Sequence, residues 1–146
     1  MSTLAYKDGV LAADTRVTDG GVIVGSVSKI RRVGPVLIAG CGDLLDLERF
    51  HVWVKAGLED GFAVEDSECW LIAPGHPFLV FEATGFLSLE APFHAAGSGG
   101  KFARGALSMG ADAVEAIRCA QQHDTLSGGP IDVLYLDGRP SQRLAI

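Results

Sequence analysis

Apolar residues in this chain come in short runs separated by glycines, with strand-like runs outnumbering helical ones. Ser2 to Lys7 and Val10 to Ala13 flank Asp8-Gly9, a dipeptide that signals a two-residue hairpin turn. Val22 to Val24, Ser28 to Val33 and Val36 to Ala39 predict further strands. Asp43 to Gly57 predicts a helix with Asp43 as N-cap. Its apolar residues, among them Leu44, Leu45, Leu47, Phe50, Val52 and Trp53, spread around most of the circumference. Such a helix is covered on more than one side, by its own sheet and by a neighbouring subunit. Trp70 to Ala73, Phe78 to Ala83 and Phe86 to Leu89 read as strands with turns at Pro74-Gly75 and Thr84-Gly85. Phe78 to Phe81 is apolar on both alternating faces, which suits a strand buried between layers. A glycine loop at Gly97 to Gly100 opens a helix to about Met109, and a second helix runs from about Asp112 to Gln122. Ile131 to Leu136, a turn at Asp137-Gly138 and Gln142 to Ile146 complete the pattern. Strands, helix, strands, two helices and strands fit an α+β fold. Two antiparallel sheets face to face, with helices outside, satisfy that order.

Composition narrows the picture. The 146 residues predict a single domain, 1–146. Hydrophobic residues make up 48% and charged residues 21%, which describes a packed chain rather than a disordered one. The formal charge of -6, with no basic stripe beyond Lys29, Arg31 and Arg32, argues against a nucleic-acid partner. Cys41, Cys69 and Cys119 are an odd set without close pairing, so reduced thiols and a cytoplasmic location are expected. There is no signal-peptide pattern and no apolar run of membrane-spanning length. The four histidines have no metal spacing, and neither a metal nor a cofactor is expected. Gly97-Ser98-Gly99-Gly100-Lys101 is not a phosphate loop: Ala95 stands where a Gly is needed, and Phe102 where Ser or Thr is needed.

Several residues could carry chemistry. Ser2 follows the initiator Met, so Met removal would put a hydroxyl and a free α-amine on one residue. The amine can then serve as base for its own hydroxyl. Folding the first hairpin on Asp8-Gly9 sets Thr3 opposite Asp14, with Ser2 one step further out. Taken alone, that is a polar pair at a sheet end. Lys29 is expected in a strand, sharing a face with Arg31 and Val33. Near Asp14 and Ser2 it would favour a neutral amine; alone it reads as a solvated edge lysine. Gly40, ending an apolar strand, would let a substrate carbonyl approach its backbone N–H as an oxyanion donor. A strand-to-helix turn explains it equally. Cys41 beside it reads as a buried structural thiol. Asp124-Thr125-Leu126-Ser127-Gly128-Gly129 is either a helix-terminating turn or a loop that holds the amine.

Together these segments resemble the proteasome β-subunit family and its bacterial relative HslV, which are N-terminal-nucleophile hydrolases. The resemblance rests on Ala5 to Arg16, Lys29 to Val33, Ile38-Ala39-Gly40, Ala96 to Gly100 and Asp124 to Gly129, in the family's order and close to its spacing. It implies a four-layer αββα sandwich of two antiparallel sheets between helices. It is a compact variant, with Asp60 to Glu68 in place of the family's second long helix. The resemblance places the nucleophile on Ser2 and the supporting roles on Asp14, Lys29, Gly40, Ser98, Asp124 and Ser127. It also implies a self-compartmentalising peptidase acting on unfolded polypeptide, a homo-oligomeric ring or double ring, and an ATPase unfoldase partner. The alternative is a catalytically silent ring or scaffold protein that keeps the motifs as folding elements. A self-processing amidase is a weaker third reading.

Overall fold

The computed structural model describes residues 2–59, 61–83 and 85–145. In chain order the strands and helices are β1 (Leu4–Lys7), β2 (Val10–Ala13), β3 (Arg16–Asp19), β4 (Val22–Ser26), β5 (Ile30–Val33), β6 (Val36–Cys41), α1 (Leu44–Lys55) and β7 (Glu68–Ile72). They continue as β8 (Phe78–Glu82), β9 (Gly85–Leu89), β10 (Phe93–Ala96), α2 (Gly100–Ser108), α3 (Ala113–His123), β11 (Ile131–Tyr135) and β12 (Gln142–Leu144). The fold is α+β, with antiparallel pairing throughout the described strands.

One five-stranded sheet runs β10-β1-β2-β11-β12, another runs β5-β6-β7-β8-β9, and β3-β4 is a separate hairpin. Leu4, Leu11 and Ala13 from the first sheet meet Ile30, Leu37, Ala39 and Trp70 from the second in one apolar core. The opposite face of the first sheet buries Ala5, Ala12 and Val133 against Ala103, Leu107, Ile117 and Ala120 of α2 and α3. On the second sheet, Ile38, Cys69 and Phe81 pack against Phe50 of α1. Phe50 is fully buried, a contribution of about 1.5–3 kcal/mol from its apolar surface.

The local signals behind these elements are visible. Asp8 and Gly9 both take positive φ, at 52° and 77°, as a two-residue primed turn requires. That turn fixes Tyr6 opposite Leu11 and Leu4 opposite Ala13. Asp43 caps α1 by accepting from the Leu45 N–H at 2.9 Å. Asp112 and Glu115 form a reciprocal capping box at the start of α3.

Two strands lie outside the expected pattern, and the placing of Lys29 needs correction. β3 and β10 were not anticipated: Arg16–Asp19 lacks clean alternation, and Phe93–Ala96 is too short and small-residue-rich to stand out. Lys29 lies one residue before β5, not within it. Its ammonium reaches Asp14 while Arg31 reaches Glu48 on α1, so the two do not share a face. Residues 61–67 contain no helix, in keeping with the expected absence of a second long helix there; Asp60, Thr84 and Ile146 lie outside the described residues. Among the described residues, no helix is long and apolar enough to cross a membrane.

Candidate active site

The first hairpin delivers Ser2 and Thr3 to the rim of the inter-sheet core, where both are buried. The Asp14 N–H donates to the Thr3 carbonyl at 3.2 Å, which continues the β1–β2 register to the expected Thr3–Asp14 pair. Asp14 Oδ1 accepts from the Thr3 N–H at 2.9 Å and from Lys29 Nζ at 2.8 Å. Asp14 Oδ2 accepts from the Gly128 N–H at 3.0 Å. One carboxylate therefore ties together the N-terminal strand, the lysine and the 124–129 loop. Burial draws the Lys29 pKa down, and the charge and hydrogen bond of Asp14 oppose that shift.

A second network approaches Ser2 from the other side. The Ser2 backbone N–H donates to Ser98 Oγ at 3.1 Å. Ser98 Oγ and Ser127 Oγ both lie on Asp124 Oδ2, at 2.7 and 2.6 Å. Ser127 Oγ is also 2.7 Å from Thr3 Oγ1. An ionised carboxylate only accepts, so each serine hydroxyl gives it its single proton. Thr3 Oγ1–H must then donate to Ser127, and Ser98 keeps a lone pair for the Ser2 nitrogen. Burial pushes the Asp124 carboxyl up, but the hydrogen bonds from Ser127, Ser98 and the Leu126 N–H outweigh it and hold the pKa below the ordinary carboxylate range. The acceptor at the centre of this network is thus charged at neutral pH.

Glycines let the chains come this close. Gly97 has φ +96°, and a Cβ on it would overlap the Ser2 carbonyl oxygen. The Gly99 N–H donates to that same carbonyl at 3.2 Å. Gly97 and Ser98 also line an open cavity of about 480 Å³, together with Gly42, Glu68 and Glu82.

Of the seven residues singled out from sequence, Ser2, Asp14, Lys29, Ser98, Asp124 and Ser127 converge in these two networks. Gly40 does not offer the expected open donor. The β5–β6 ladder extends one pair beyond Ile30–Ala39, and the Gly40 N–H donates to the Lys29 carbonyl at 3.0 Å. The sequence marks Thr3 only as the residue opposite Asp14. The structure adds its hydroxyl, which joins the serine network. Cys41 lies beside this region with its thiol pushed up to about 12 by burial, as an unreactive core thiol would be. Among the described residues, no group of three or more His, Cys, Asp or Glu side chains is placed to hold a metal ion.

No protein-family model matches the sequence, and no curated protein matches it. Solved structures do. The fold is similar to that of Thiobacillus denitrificans BPH. The likeness has a TM-score of 0.64 at 21% identity and covers 99% of this chain and 98% of that one. The structure of the same protein in complex with epoxomicin matches with a TM-score of 0.64 at 21% identity, covering 99% of both chains. At that identity the likeness is one of fold.

Proposed function

We propose that this chain is a proteasome-like, N-terminal-nucleophile peptidase on a compact αββα sandwich. The observation that carries the reading is the Ser2 nitrogen, held by Ser98 Oγ under Asp124 at the strand end where Asp14 binds Lys29. The epoxomicin complex of a protein with the same fold supports it.

Removal of Met1 turns the Ser2 nitrogen into an α-amine, with an ordinary pKa of roughly 7.7–8.0. Ser98 accepts one N–H from it and leaves the nitrogen lone pair for the Ser2 hydroxyl. Ser2 Oγ attacks the peptide carbonyl carbon as the amine takes the hydroxyl proton. Collapse breaks the C–N bond, the proton passes to the leaving amine, and an ester joins Ser2 to the acyl half. Water, deprotonated by the same amine, hydrolyses the ester. The positive charge held on Lys29 disfavours protonation of the amine and steadies negative charge at the strand end. The substrate is unfolded polypeptide, and the active form is a homo-oligomeric ring that confines Ser2. Two exposed apolar side chains on α1 support assembly: Leu45 and Val52 are 70% and 67% exposed in the single chain.

One observation favours a second reading, a catalytically silent ring protein. The Gly40 N–H is engaged by Lys29 and offers no oxyanion donor. The two readings separate by intact mass before and after treatment with a peptide epoxyketone, which needs a free α-amine and hydroxyl on one residue. Loss of Met1 and one adduct per chain, absent in Ser2→Ala, is the expected result. Retained Met1, or no adduct, would leave the silent ring protein.

A further inference from the structure

Arg16 takes no part in the mechanism above, yet its side chain reaches the loop that carries Ser127. Its Nη1 donates to the carbonyls of Thr125 at 3.3 Å and Ser127 at 3.4 Å. The backbone N–H groups of Arg16 and Thr15 both donate to the Gly128 carbonyl, at 3.1 and 3.2 Å. One residue away, the carboxylate of Asp14 takes the Gly128 N–H. The strand end therefore grips the loop by matched polarity: an anion meets its N–H, and a cation meets its carbonyls.

Gly128 explains why the grip is so close. Its φ is not positive, so its backbone conformation does not call for glycine. A Cβ at this position would instead overlap the Arg16 guanidinium. The missing side chain makes room for the arginine.

We propose that Arg16 is a positioning residue, whose guanidinium, seated over Gly128, fixes the 125–128 backbone and through Ser127 and Asp124 the Ser98 hydroxyl that holds the Ser2 amine. This rests on the N-terminal-nucleophile reading. The local bonds of the loop, Ser127 N–H to the Asp124 carbonyl and Leu126 N–H to Asp124 Oδ1, shape it but do not tie it to the strand. A lysine would bring the charge without the flat fork that covers Gly128.

The test compares wild type, Arg16→Lys, Arg16→Ala, Gly128→Ala and the Arg16→Ala/Gly128→Ala double variant, with Met1 removal checked by mass. Two readouts are taken: the pH profile of epoxyketone labelling, and amide hydrogen exchange across residues 125–129. Arg16→Ala is expected to slow labelling by about ten- to a hundredfold, as small misplacements of reacting groups do, and to move the pH midpoint. Exchange should quicken at 125–129 and stay unchanged at Leu4–Lys7. Arg16→Lys should recover part of the rate. Gly128→Ala should resemble Arg16→Ala, and the double variant should be no worse than either, because both remove one interaction. Wild-type labelling rate and pH midpoint in Arg16→Ala would overturn the proposal, as would effects of the two single variants that multiply. If wild type takes no adduct, the catalytic role falls with the peptidase reading. The exchange data then show whether the grip on the loop exists without it.

Discussion

Lys29 Nζ lies 2.8 Å from Asp14 Oδ1, with the two side chains only 1% and 0% exposed. A pair so enclosed adds little net stability, because both ions lose their hydration. Removing one partner strands the other. Asp14→Leu and Lys29→Met should each destabilise the protein by about 3–5 kcal/mol. The double variant should cost clearly less than the sum. Urea unfolding of the three variants measures this, and additive losses would contradict a coupled pair. Both single variants should also lose epoxyketone labelling.

Asp124 predicts an acid limit. Its folded pKa lies below the ordinary 3.8, because the hydrogen bonds from Ser127 and Ser98 outweigh the effect of burial. Its contribution to stability is therefore complete above 3.8 and is lost as pH falls through the lower folded value. Asp124→Asn should melt below wild type by a constant margin from pH 7 down to about pH 5, and the gap should close in stronger acid. Melting curves from pH 7 down to about pH 2 test it. A gap that widens on acidification would mean that the carboxylate is not held ionised by the two serines.

Gly97 and Gly110 offer a matched pair. Both have positive φ, +96° and +104°, but a Cβ on Gly97 would overlap the Ser2 carbonyl oxygen, whereas nothing lies within 4 Å of one on Gly110. Alanine at either position adds backbone strain of about 1–3 kcal/mol. Only Gly97→Ala should also displace Ser2 from the Gly99 N–H and slow labelling. Equal labelling in the two variants would show that Ser2 tolerates the shift.

The sequence made parts of this site legible and hid others for physical reasons. Asp8-Gly9 specifies a hairpin whose register follows from the turn alone, so Thr3 opposite Asp14 could be read directly. The approach of Ser98, Asp124 and Ser127 to Ser2 is a contact across about a hundred residues. No local pattern encodes such contacts: taken alone, Asp124 to Gly129 reads equally as a helix-ending turn, and the resemblance favours the loop that holds the amine. Alternation misplaced Lys29 because it holds only within a regular strand: the Lys29 carbonyl still takes the Gly40 N–H, but the residue lies one before β5, where the extended geometry ends. Gly40 stands out as a glycine ending an apolar strand and through the resemblance, whereas the fate of its N–H depends on how far the β5–β6 pairing extends. The Thr3 hydroxyl and the pairing of Arg16 with Gly128 left no sequence signal beyond residue identity.

Leu45 and Val52 lie one heptad apart on the outer side of α1, so they share a face. They are 70% and 67% exposed, while Leu47 and Phe50 of the same helix are buried against the sheet. Covering side chains of this size in an assembly contributes about 1.5–3 kcal/mol each, repeated at every copy of the contact. Leu45→Glu/Val52→Glu should therefore release subunits from an oligomer while the fold, held by the inner face of the helix, survives. Native mass spectrometry with circular dichroism reads both. A wild-type protein that runs as a monomer at micromolar concentration would remove the ring from the proposal and leave Ser2 unconfined, and an oligomer untouched by both substitutions would place the contact on another surface.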